Sequence, residues 1–270
     1  PPRPAINATD PVYTGEQITV DGTTSRDPDG SIVSYRWYNE HTETEHTGER
    51  IRLSFDDDGT YPIKLTVSDD NSTERTIQTN LTVRNRPPVV RAAKETNIPV
   101  VGKPVSLVAT DAYDPDGQIV ATEWDIDNDG TFEKSGEGIE PTFNTYGQRN
   151  VTVRVTDNDG STNATSVSFY VNAPPQPVID SNDPVYTGNP IQLNGSKSVD
   201  PDGSIIPASY NWDIASDDSD TTGKVTNVTF QDDGMYPVVL SVTDNNGTTR
   251  STKTNLSVLN RPPRGELTPM

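Results

Sequence analysis

The chain has 270 residues, 40 acidic against 21 basic side chains, a formal net charge of −19, and no cysteine. That charge would repel nucleic-acid phosphates, and the lack of cysteine excludes disulfides, thiol catalysis and thiolate metal sites. No apolar run approaches the roughly 18 residues of a membrane-spanning helix, so we expect neither nucleic-acid binding nor membrane contact by this segment.

The sequence consists of three repeats of about 87 residues. A Pro-Pro pair, an Asp-Pro-Asp-Gly turn and a single tryptophan recur at this interval. The turns begin at Asp27, Asp114 and Asp200, and the tryptophans are Trp37, Trp124 and Trp212. We therefore expect domains at residues 1–86, 87–173 and 174–261, followed by a linker at 262–270.

Strands are predicted in the first repeat at residues 17–20, 32–37, 50–55, 61–67 and 80–83. Apolar and polar residues alternate strictly over 61–67 and again over 151–155 and 236–242, as in a strand with one buried face. Turn residues separate the strands, and no segment has a helical stripe. Six or seven short strands per repeat indicate an all-β chain of three tandem immunoglobulin-like antiparallel sandwiches. Because Pro-Pro linkers are extended and semi-rigid, we expect them to form a rod.

Two aromatic positions are expected to organise each sandwich. The tryptophan should fill the core, since one large ring compensates for a low aliphatic content. Tyr61 and Tyr236 each follow a glycine at the start of a strand, where a hydroxyl bonded to the backbone would fix the corner. The second repeat has Arg149 at this position, so its corner must be held differently.

The segments DPDGSIVSYRW and DDGTYPIKLTVSD, with their counterparts DPDGQIVATEWDIDNDG and DDGMYPVVLSVTDNNG, resemble polycystic kidney disease (PKD) domains. The resemblance covers essentially the whole chain as three copies. The family's usual Trp-Asp-Phe-Gly-Asp-Gly is replaced after Trp37 and Trp212, so the loop that follows differs among the repeats. The resemblance implies an immunoglobulin-like module of extracellular proteins, used for spacing, adhesion or substrate contact, and it does not imply catalysis.

Calcium is the metal that the sequence favours. Each Asp-Pro-Asp-Gly turn offers two carboxylates, and an aspartate at the end of the most regular strand could add a third, as a hard cation requires. Some members of the resembled family bind calcium in this region, and Asn7 and Asp180 could add a ligand. The alternative is that the turn is only a good turn, with Asp bonding the backbone and Pro fixing φ. The candidate ligands are Asp27, Asp29, Asp69, Asp114, Asp116, Asp157, Asp200, Asp202 and Asp244.

A second, weaker calcium candidate lies in the middle repeat. Asp125, Asp127 and Asp129 occupy positions 1, 3 and 5 of a loop like that of an EF-hand, Gly130 is at position 6 and Glu133 at position 9. Position 12 is a glycine where a bidentate glutamate is needed, and the flanking helices are missing. The loop is therefore either a partial calcium site or a solvated hairpin turn.

Nine Asn-x-Ser/Thr sequons are candidate glycosylation sites, as expected for an exported rod. The alternative is that Asn and Thr are simply common in turns and strands. The sequons are at Asn7, Asn71, Asn80, Asn150, Asn163, Asn194, Asn227, Asn246 and Asn255.

The histidines argue against zinc binding and against catalysis. His41 and His46 are the only two in the chain, and both lie in one loop of the first repeat. Their spacing does not place the two imidazoles on one face. The other repeats have no histidine that could act as a general base, so we expect no enzyme activity.

The surplus acid is mostly aspartate, with 28 Asp and 12 Glu against 7 Lys. This pattern is typical of proteins that work in concentrated salt, as in a halophilic archaeon or its viruses, although turn residues and calcium ligands would also account for it. We expect a non-catalytic, calcium-stabilised stalk of a cell-surface adhesion or filament protein. Its expected partners are other surface proteins, copies of itself, or glycans.

Two alternatives to this stalk remain. One is an accessory substrate-binding region of a secreted hydrolase, which exposed aromatic side chains on one face would indicate; Tyr13, Tyr35 and Tyr186 are too few to argue it. The other is a segment of a viral tail fibre or capsid decoration.

Overall fold

Each of the three domains is a sandwich of two β-sheets in the computed structural model, which describes residues 1–214 and 220–262. Within those ranges the helical structure is confined to a 3₁₀ turn at Pro207–Ser209. The expected all-β class with tandem immunoglobulin-like sandwiches is therefore confirmed. Of the linker predicted at 262–270, residues 263–270 lie outside the described ranges.

The first domain pairs a three-stranded sheet, ordered β1-β3-β6, with a five-stranded sheet, ordered β2-β8-β7-β4-β5. Neighbouring strands are antiparallel except for β2, which runs parallel to β8. The strands are β1 (Asn7–Ala8), β2 (Val12–Tyr13), β3 (Ile18–Asp21), β4 (Ile32–Asn39), β5 (Thr44–Thr47), β6 (Arg50–Leu53), β7 (Gly59–Asp69) and β8 (Glu74–Arg84).

The second domain has sheets ordered β13-β10-β9 and β12-β11-β14-β15. Its long hairpin, β14 with β15, is paired from one end to the other without a bulge. The strands are β9 (Val89–Lys94), β10 (Leu107–Tyr113), β11 (Ile119–Asp125), β12 (Lys134–Ser135), β13 (Gly138–Ile139), β14 (Gly147–Asp157) and β15 (Thr162–Val171).

The third domain repeats the plan of the first, with sheets ordered β16-β18-β21 and β17-β23-β22-β19-β20. Its long hairpin is β22 with β23. The strands are β16 (Asp180–Ser181), β17 (Val185–Tyr186), β18 (Pro190–Asn194), β19 (Asn211–Ile214), β20 (Thr221–Thr222), β21 (Val225–Thr229), β22 (Gly234–Thr243) and β23 (Thr249–Leu259).

The tryptophan of each repeat lies at the centre of its core, as predicted. Trp37, Trp124 and Trp212 are completely buried, and each indole N–H donates to a glycine carbonyl, at 2.8–2.9 Å. Because the buried N–H is satisfied, the ring adds its full apolar area to the core at no cost in unpaired polar groups.

The tyrosine corners are also confirmed, and the structure explains the exception. The Tyr61 hydroxyl donates to the Asp57 carbonyl at 2.7 Å, and Tyr236 makes the same bond to Asp232 at 3.0 Å. In the second domain the guanidinium of Arg149 donates to the corresponding carbonyl, that of Thr145, at 2.7 Å. A cation therefore replaces a phenol as the donor that closes the corner.

The regular strands were predicted closely and the polar ones were not. The strand predicted at 61–67 extends over Gly59–Asp69, whereas the strand predicted at 50–55 ends at Leu53. Thr44–Thr47 is a strand that the sequence did not suggest, because an exposed edge strand of polar residues has no apolar alternation. For the same reason β8 begins at Glu74, well before the predicted residue 80.

Candidate metal centres at the domain joints

The first joint, where the first domain meets the second, is held by hydrogen bonds to two of the predicted aspartates. The Asn85 side chain donates to Asp157 Oδ2 at 2.8 Å and to Ser161 Oγ at 3.0 Å. The next backbone N–H, of Arg86, donates to Asp116 Oδ2 at 3.0 Å, and the Thr14 hydroxyl donates to the same oxygen. The carboxylates of the second domain therefore bind the linker that precedes them.

The second joint repeats this arrangement between the second and third domains. The Asn172 side chain donates to Asp244 Oδ2 at 2.8 Å and to Thr248 Oγ1 at 2.9 Å. The Ala173 N–H donates to Asp202 Oδ2 at 2.9 Å. In both joints, therefore, a linker asparagine side chain and the backbone N–H of the next residue donate to two equivalent aspartates of the following domain.

Beside these bonded carboxylates lie carboxylates that have no hydrogen-bond donor. Both oxygens of Asp114 and the Oδ1 atom of Asp116 are buried and unpaired in the first joint. In the second joint the unpaired atoms are both oxygens of Asp200 and Oδ1 of Asp202, together with the amide oxygen of Asn172. Burying an ionised carboxylate without a partner is costly, so each joint favours either a bound cation or a protonated carboxyl.

The third aspartate of each predicted set is placed differently from the other two. Asp157 Oδ1 accepts from the N–H groups of Asp159 and Ser161, at 3.0 and 2.7 Å, and so closes the β14–β15 turn. Asp69 and Asp244 close the equivalent turns. These residues lie near the cluster, but their oxygens already serve the turn and, in the two joints, the linker asparagine.

A glycine is required where the turn approaches the next hairpin. A Cβ atom on Gly117 would lie 2.1 Å from Asn158 Oδ1 and 2.6 Å from Asp114 Oδ2. Asn158 cannot easily move, because its Oδ1 accepts from the Gln118 N–H at 2.7 Å. Oxygen atoms from two turns therefore crowd one small volume, and Gly30 and Gly203 are packed in the same way.

The pKa values reflect this crowding. Burial, followed by the closeness of the Asp116 carboxylate, raises the pKa of Asp114. Burial, followed by the charge of Asp202, raises the pKa of Asp200. Although burial opposes it, hydrogen bonds from Thr14 and Arg86 lower the pKa of Asp116. Each pair thus has one carboxyl that resists ionisation when no cation is near.

The residues present fit a hard divalent cation such as Ca²⁺, which takes about six to eight oxygen ligands. Asp114 with Asp116, and Asp200 with Asp202, would supply the carboxylate oxygens, and Asn172 an amide oxygen. The ion would neutralise the unpaired charge directly beside the groups that receive the linker. The role of Asn85 and Asn172 was missed from the sequence, although the recurrence of Asn shortly before each Pro-Pro pair was a usable signal.

The first domain has the same Asp-Pro-Asp-Gly turn, although here the second aspartate, Asp29, is exposed. The Asp27 side chain is fully inaccessible and both its oxygens are unpaired. The Pro1 amino group lies 3.6 Å from Asp27 Oδ1 and 3.3 Å from Asp29 Oδ1. Burial, followed by the closeness of the Asp29 carboxylate, raises the pKa of Asp27.

The weaker candidate loop is a hydrogen-bonded turn whose acids converge. One oxygen from each of Asp125, Asp127, Asp129 and Glu133 can lie within 4.8 Å of the others. The two oxygens of Asp125 accept from the N–H groups of residues 128, 129 and 130, so this buried side chain shapes the β11–β12 hairpin. Calcium at this loop stays a prediction.

The other candidate residues lie on the surface. Asp180 is paired with Lys197 at 2.8 Å, and Asn7 donates to Thr24 at 3.1 Å. Eight of the nine sequon asparagines are exposed, and Asn194 is half-buried. Asn163 is unusual among them, because its side-chain amide donates to the Pro88 carbonyl at 2.8 Å, within the first joint.

The PKD domain model matches the chain three times, over residues 1–83, 85–171 and 172–258. Pre-pro-metalloprotease PrtV of Vibrio cholerae is 35% identical over 140 residues, which are 51% of this chain and 14% of that protein. The dyslexia-associated protein KIAA0319 homolog of Rattus norvegicus is 26% identical over 276 residues, 92% of this chain and 25% of that protein. The chain thus spans a quarter or less of these relatives.

Among solved structures, the N-terminal eight Ig domains of Down Syndrome Cell Adhesion Molecule align with a TM-score of 0.51 at 14% identity. The alignment covers 95% of this chain and 36% of that one, and it supports the sandwich fold alone. Within residues 1–214 and 220–262, no helix is long and apolar enough to cross a bilayer.

Proposed function

The chain belongs to the PKD domain family, and from that premise we propose that it is a rod-like extracellular module whose joints are cross-linked by calcium. PKD domains are non-catalytic immunoglobulin-like modules, typical of extracellular and surface proteins. The rod sets the distance between whatever lies at its two ends and offers its sides to other surface proteins, to copies of itself or to glycans.

One observation carries this proposal. At both joints a linker asparagine and the N–H after it bind two aspartates of the next domain, directly beside carboxylate oxygens without donors. A cation bound by those oxygens would fix the acceptors that hold the linker. Domain orientation and cation binding would therefore be coupled, as expected when a ligand binds only the ordered state.

The test is a calcium titration of the whole chain, followed by calorimetry and small-angle scattering. We expect calcium to raise the melting temperature and to narrow the distribution of end-to-end distances, and chelator to reverse both effects. The double variant Asp200→Asn/Asp202→Asn should lose binding at the second joint. A matched control, Asp232→Asn/Asp233→Asn, removes two exposed aspartates from a loop outside the joints. Full calcium binding by the first variant would refute the proposal.

A second role, as an accessory region of a secreted hydrolase, is supported by the relative named as a metalloprotease, which matches half of the chain. Under this proposal the rod positions a catalytic domain near its substrate. Joining the chain to such a domain should change activity on an insoluble substrate and leave activity on a soluble one unchanged. Equal effects on both would contradict it.

The salt-adapted surface is also part of the proposal, and it rests on 28 aspartates against 7 lysines. At about 1 M salt the Debye length is only about 3 Å, so self-repulsion is screened. Under this proposal the chain comes from a halophile such as an archaeon. It should unfold in dilute chelating buffer and refold when monovalent salt is restored. A melting temperature independent of salt would argue against it.

A further inference from the structure

The second joint contains a cleft of about 560 Å³ between the second and third domains. Tyr146 and Asn144, from the segment before β14, form one wall, and Arg250, near the start of β23, lies on the other. The linker residues Ala173 and Gln176 line it between them. Ligand sites commonly have about 300–1,000 Å³ and lie between domains, so the size and the place are both suitable.

The first joint has the same backbone plan but different side chains. The three residues before β14 are Asn144, Thr145 and Tyr146, whereas the three before β7 are aspartates, at positions 56–58. The second residue of β23 is Arg250, whereas the second residue of β15 is Asn163. One wall of the first joint is thus acidic, whereas the equivalent wall of the second joint has aromatic and amide side chains.

The linker completes the contrast. The residue before the Pro-Pro pair is Arg86 in the first joint, where its guanidinium donates to the Thr14 carbonyl at 3.0 Å and lies 5.9 Å from the ring centre of Tyr13. In the second joint the same position is Ala173, and Val101 stands where Thr14 does. A short side chain there leaves open the space that a long one covers in the first joint.

The charge of the cleft limits what it can bind. Of its nine lining residues, Arg250 alone carries a formal charge. The described part of the chain gives Arg250 no ion pair, although the protein as a whole is strongly acidic. At physiological salt the Debye length is about 8 Å, so an anion in the cleft interacts with this guanidinium and also with Asp200 and Asp202, which flank the lining residue Pro201 and whose charge a bound calcium ion would neutralise. A planar guanidinium binds carboxylates through two parallel hydrogen bonds.

The remaining lining groups favour a sugar over a peptide. The Tyr146 side chain is 49% exposed and offers an aromatic surface with a polar tip, against which the apolar face of a pyranose can pack. The Asn144 and Gln176 amides can both donate to and accept from hydroxyl groups. A proline-rich peptide needs an aromatic-lined groove, and only one aromatic residue lines this cleft. An adjoining depression of about 390 Å³, also lined by Gln176 and Arg250, leaves room for more than one sugar ring.

We propose that the cleft of the second joint is a binding site for a short acidic saccharide, with its carboxylate on Arg250 and a pyranose ring against Tyr146. The site adds a specific recognition function to the spacer role. The proposal rests on calcium at the second joint to neutralise Asp200 and Asp202, and the calcium titration described above tests that premise without the saccharide.

The test measures binding of trigalacturonate, a uronic-acid trisaccharide, to the whole calcium-loaded chain after excess calcium is removed, with maltotriose as the neutral comparison. We expect calorimetry and saturation-transfer NMR to detect trigalacturonate and not maltotriose. Arg250→Gln should weaken binding about tenfold, the loss of one charge-assisted contact. Ala173→Met, which fills the space beside Arg250 with an uncharged side chain, should abolish binding while every other lining side chain is kept.

Tyr146→Ala, which removes the ring proposed to pack against the sugar, should also weaken binding. Two controls match Tyr146→Ala and Arg250→Gln. Tyr186→Ala removes a tyrosine of similar exposure, 45%, and Arg75→Gln removes an exposed arginine of β8, and both should bind as the wild type does. Absence of trigalacturonate binding, equal binding of maltotriose, or binding that survives Ala173→Met would overturn the proposal. So would a hexaproline peptide that binds in place of the sugar and is lost with the same variants. Melting curves verify that each variant is folded.

Discussion

The side chain of Asn172 donates to Asp244 at 2.8 Å across the second joint, with 1% of Asn172 and none of Asp244 exposed to solvent. Asn85 and Asp157 make the same bond, also at 2.8 Å, across the first joint. These buried hydrogen bonds fix each linker to the domain that follows it. Each joint is therefore an ordered part of the fold and not a flexible linker.

Asn172→Ala should therefore destabilise the third domain and loosen the second joint. Removing one partner of a buried bond costs about 1–3 kcal/mol, since the other is left unsatisfied. Denaturant unfolding followed by calorimetry measures the free energy change. The control is Asn255→Ala, which truncates an exposed asparagine on β23. If both variants unfold at the same denaturant concentration, the bond contributes nothing to stability.

The effect of Asp114→Asn on the stability of the fold should have opposite signs with and without calcium. In chelator at neutral pH the wild type buries an unpaired carboxylate, so a neutral amide of the same shape should be neutral or stabilising. With calcium present the variant lacks a ligand and should be less stable than the wild type. Melting temperatures in the two buffers test this, and a loss of stability in both would contradict the account.

The pH dependence of that comparison follows from the raised pKa of Asp114. A group whose pKa is higher in the folded state stabilises the fold at low pH, and this contribution is lost as pH rises through the folded-state value. In chelator the advantage of Asp114→Asn should therefore shrink as the pH falls below that value and vanish below the unfolded-state pKa, where the wild-type carboxyl is neutral in both states. An advantage that grows on acidification would show the opposite linkage.

Much of the fold could be predicted from the sequence because each repeat supplies an independent copy of the same pattern. Alternation over Tyr61–Val67 marks a strand with one buried face, and its recurrence over Val151–Val155 confirms the period. The edge strand Thr44–Thr47 was missed, because its residues are polar and mostly exposed, and no apolar pattern distinguishes them from a loop.

The joints could be predicted only in part. The sequence identified the three aspartates of each set as candidate ligands, and the structure adds that two of them contact the linker at each joint. The sequence could not show that Asn85 and Asn172 would donate to the third aspartate of each set, because those contacts join residues that are 72 positions apart. Nor could the sequence show that the second joint has a cleft because it has Ala173 where the first joint has Arg86. That result depends on how the two domains pack.

The hydrogen bond of Asn163 predicts that this sequon is glycosylated less than the exposed ones, which glycopeptide mass spectrometry can test. Its side-chain nitrogen, the atom that would carry a glycan, donates to the Pro88 carbonyl at 2.8 Å. We expect low occupancy there in a glycosylating host, because a modified amide would disrupt the first joint. Asn80 and Asn255, exposed on β8 and β23, are the matched sites that should be occupied. Full occupancy at Asn163 would mean that the joint forms without this bond.

Arg149 allows a test of the corner by exchange between repeats. Its guanidinium donates to the Thr145 carbonyl and lies 5.5 Å from the ring centre of Phe143. In the first domain Tyr61 bonds the equivalent carbonyl and stacks on Phe55 with ring centres 3.8 Å apart. Arg149→Tyr should therefore preserve or raise stability, because the phenol makes the same hydrogen bond and adds aromatic contact.

The control for this exchange is Arg149→Ala, which removes the donor together with the cation above the Phe143 ring. It should cost about 1–2 kcal/mol, the sum of one hydrogen bond and one partly exposed cation–π contact. Denaturant unfolding of the two variants and the wild type gives the comparison directly. If Arg149→Tyr is as unstable as Arg149→Ala, the Thr145 carbonyl lies where only the longer arginine side chain can reach it. The tyrosine and arginine corners would then not be interchangeable between repeats.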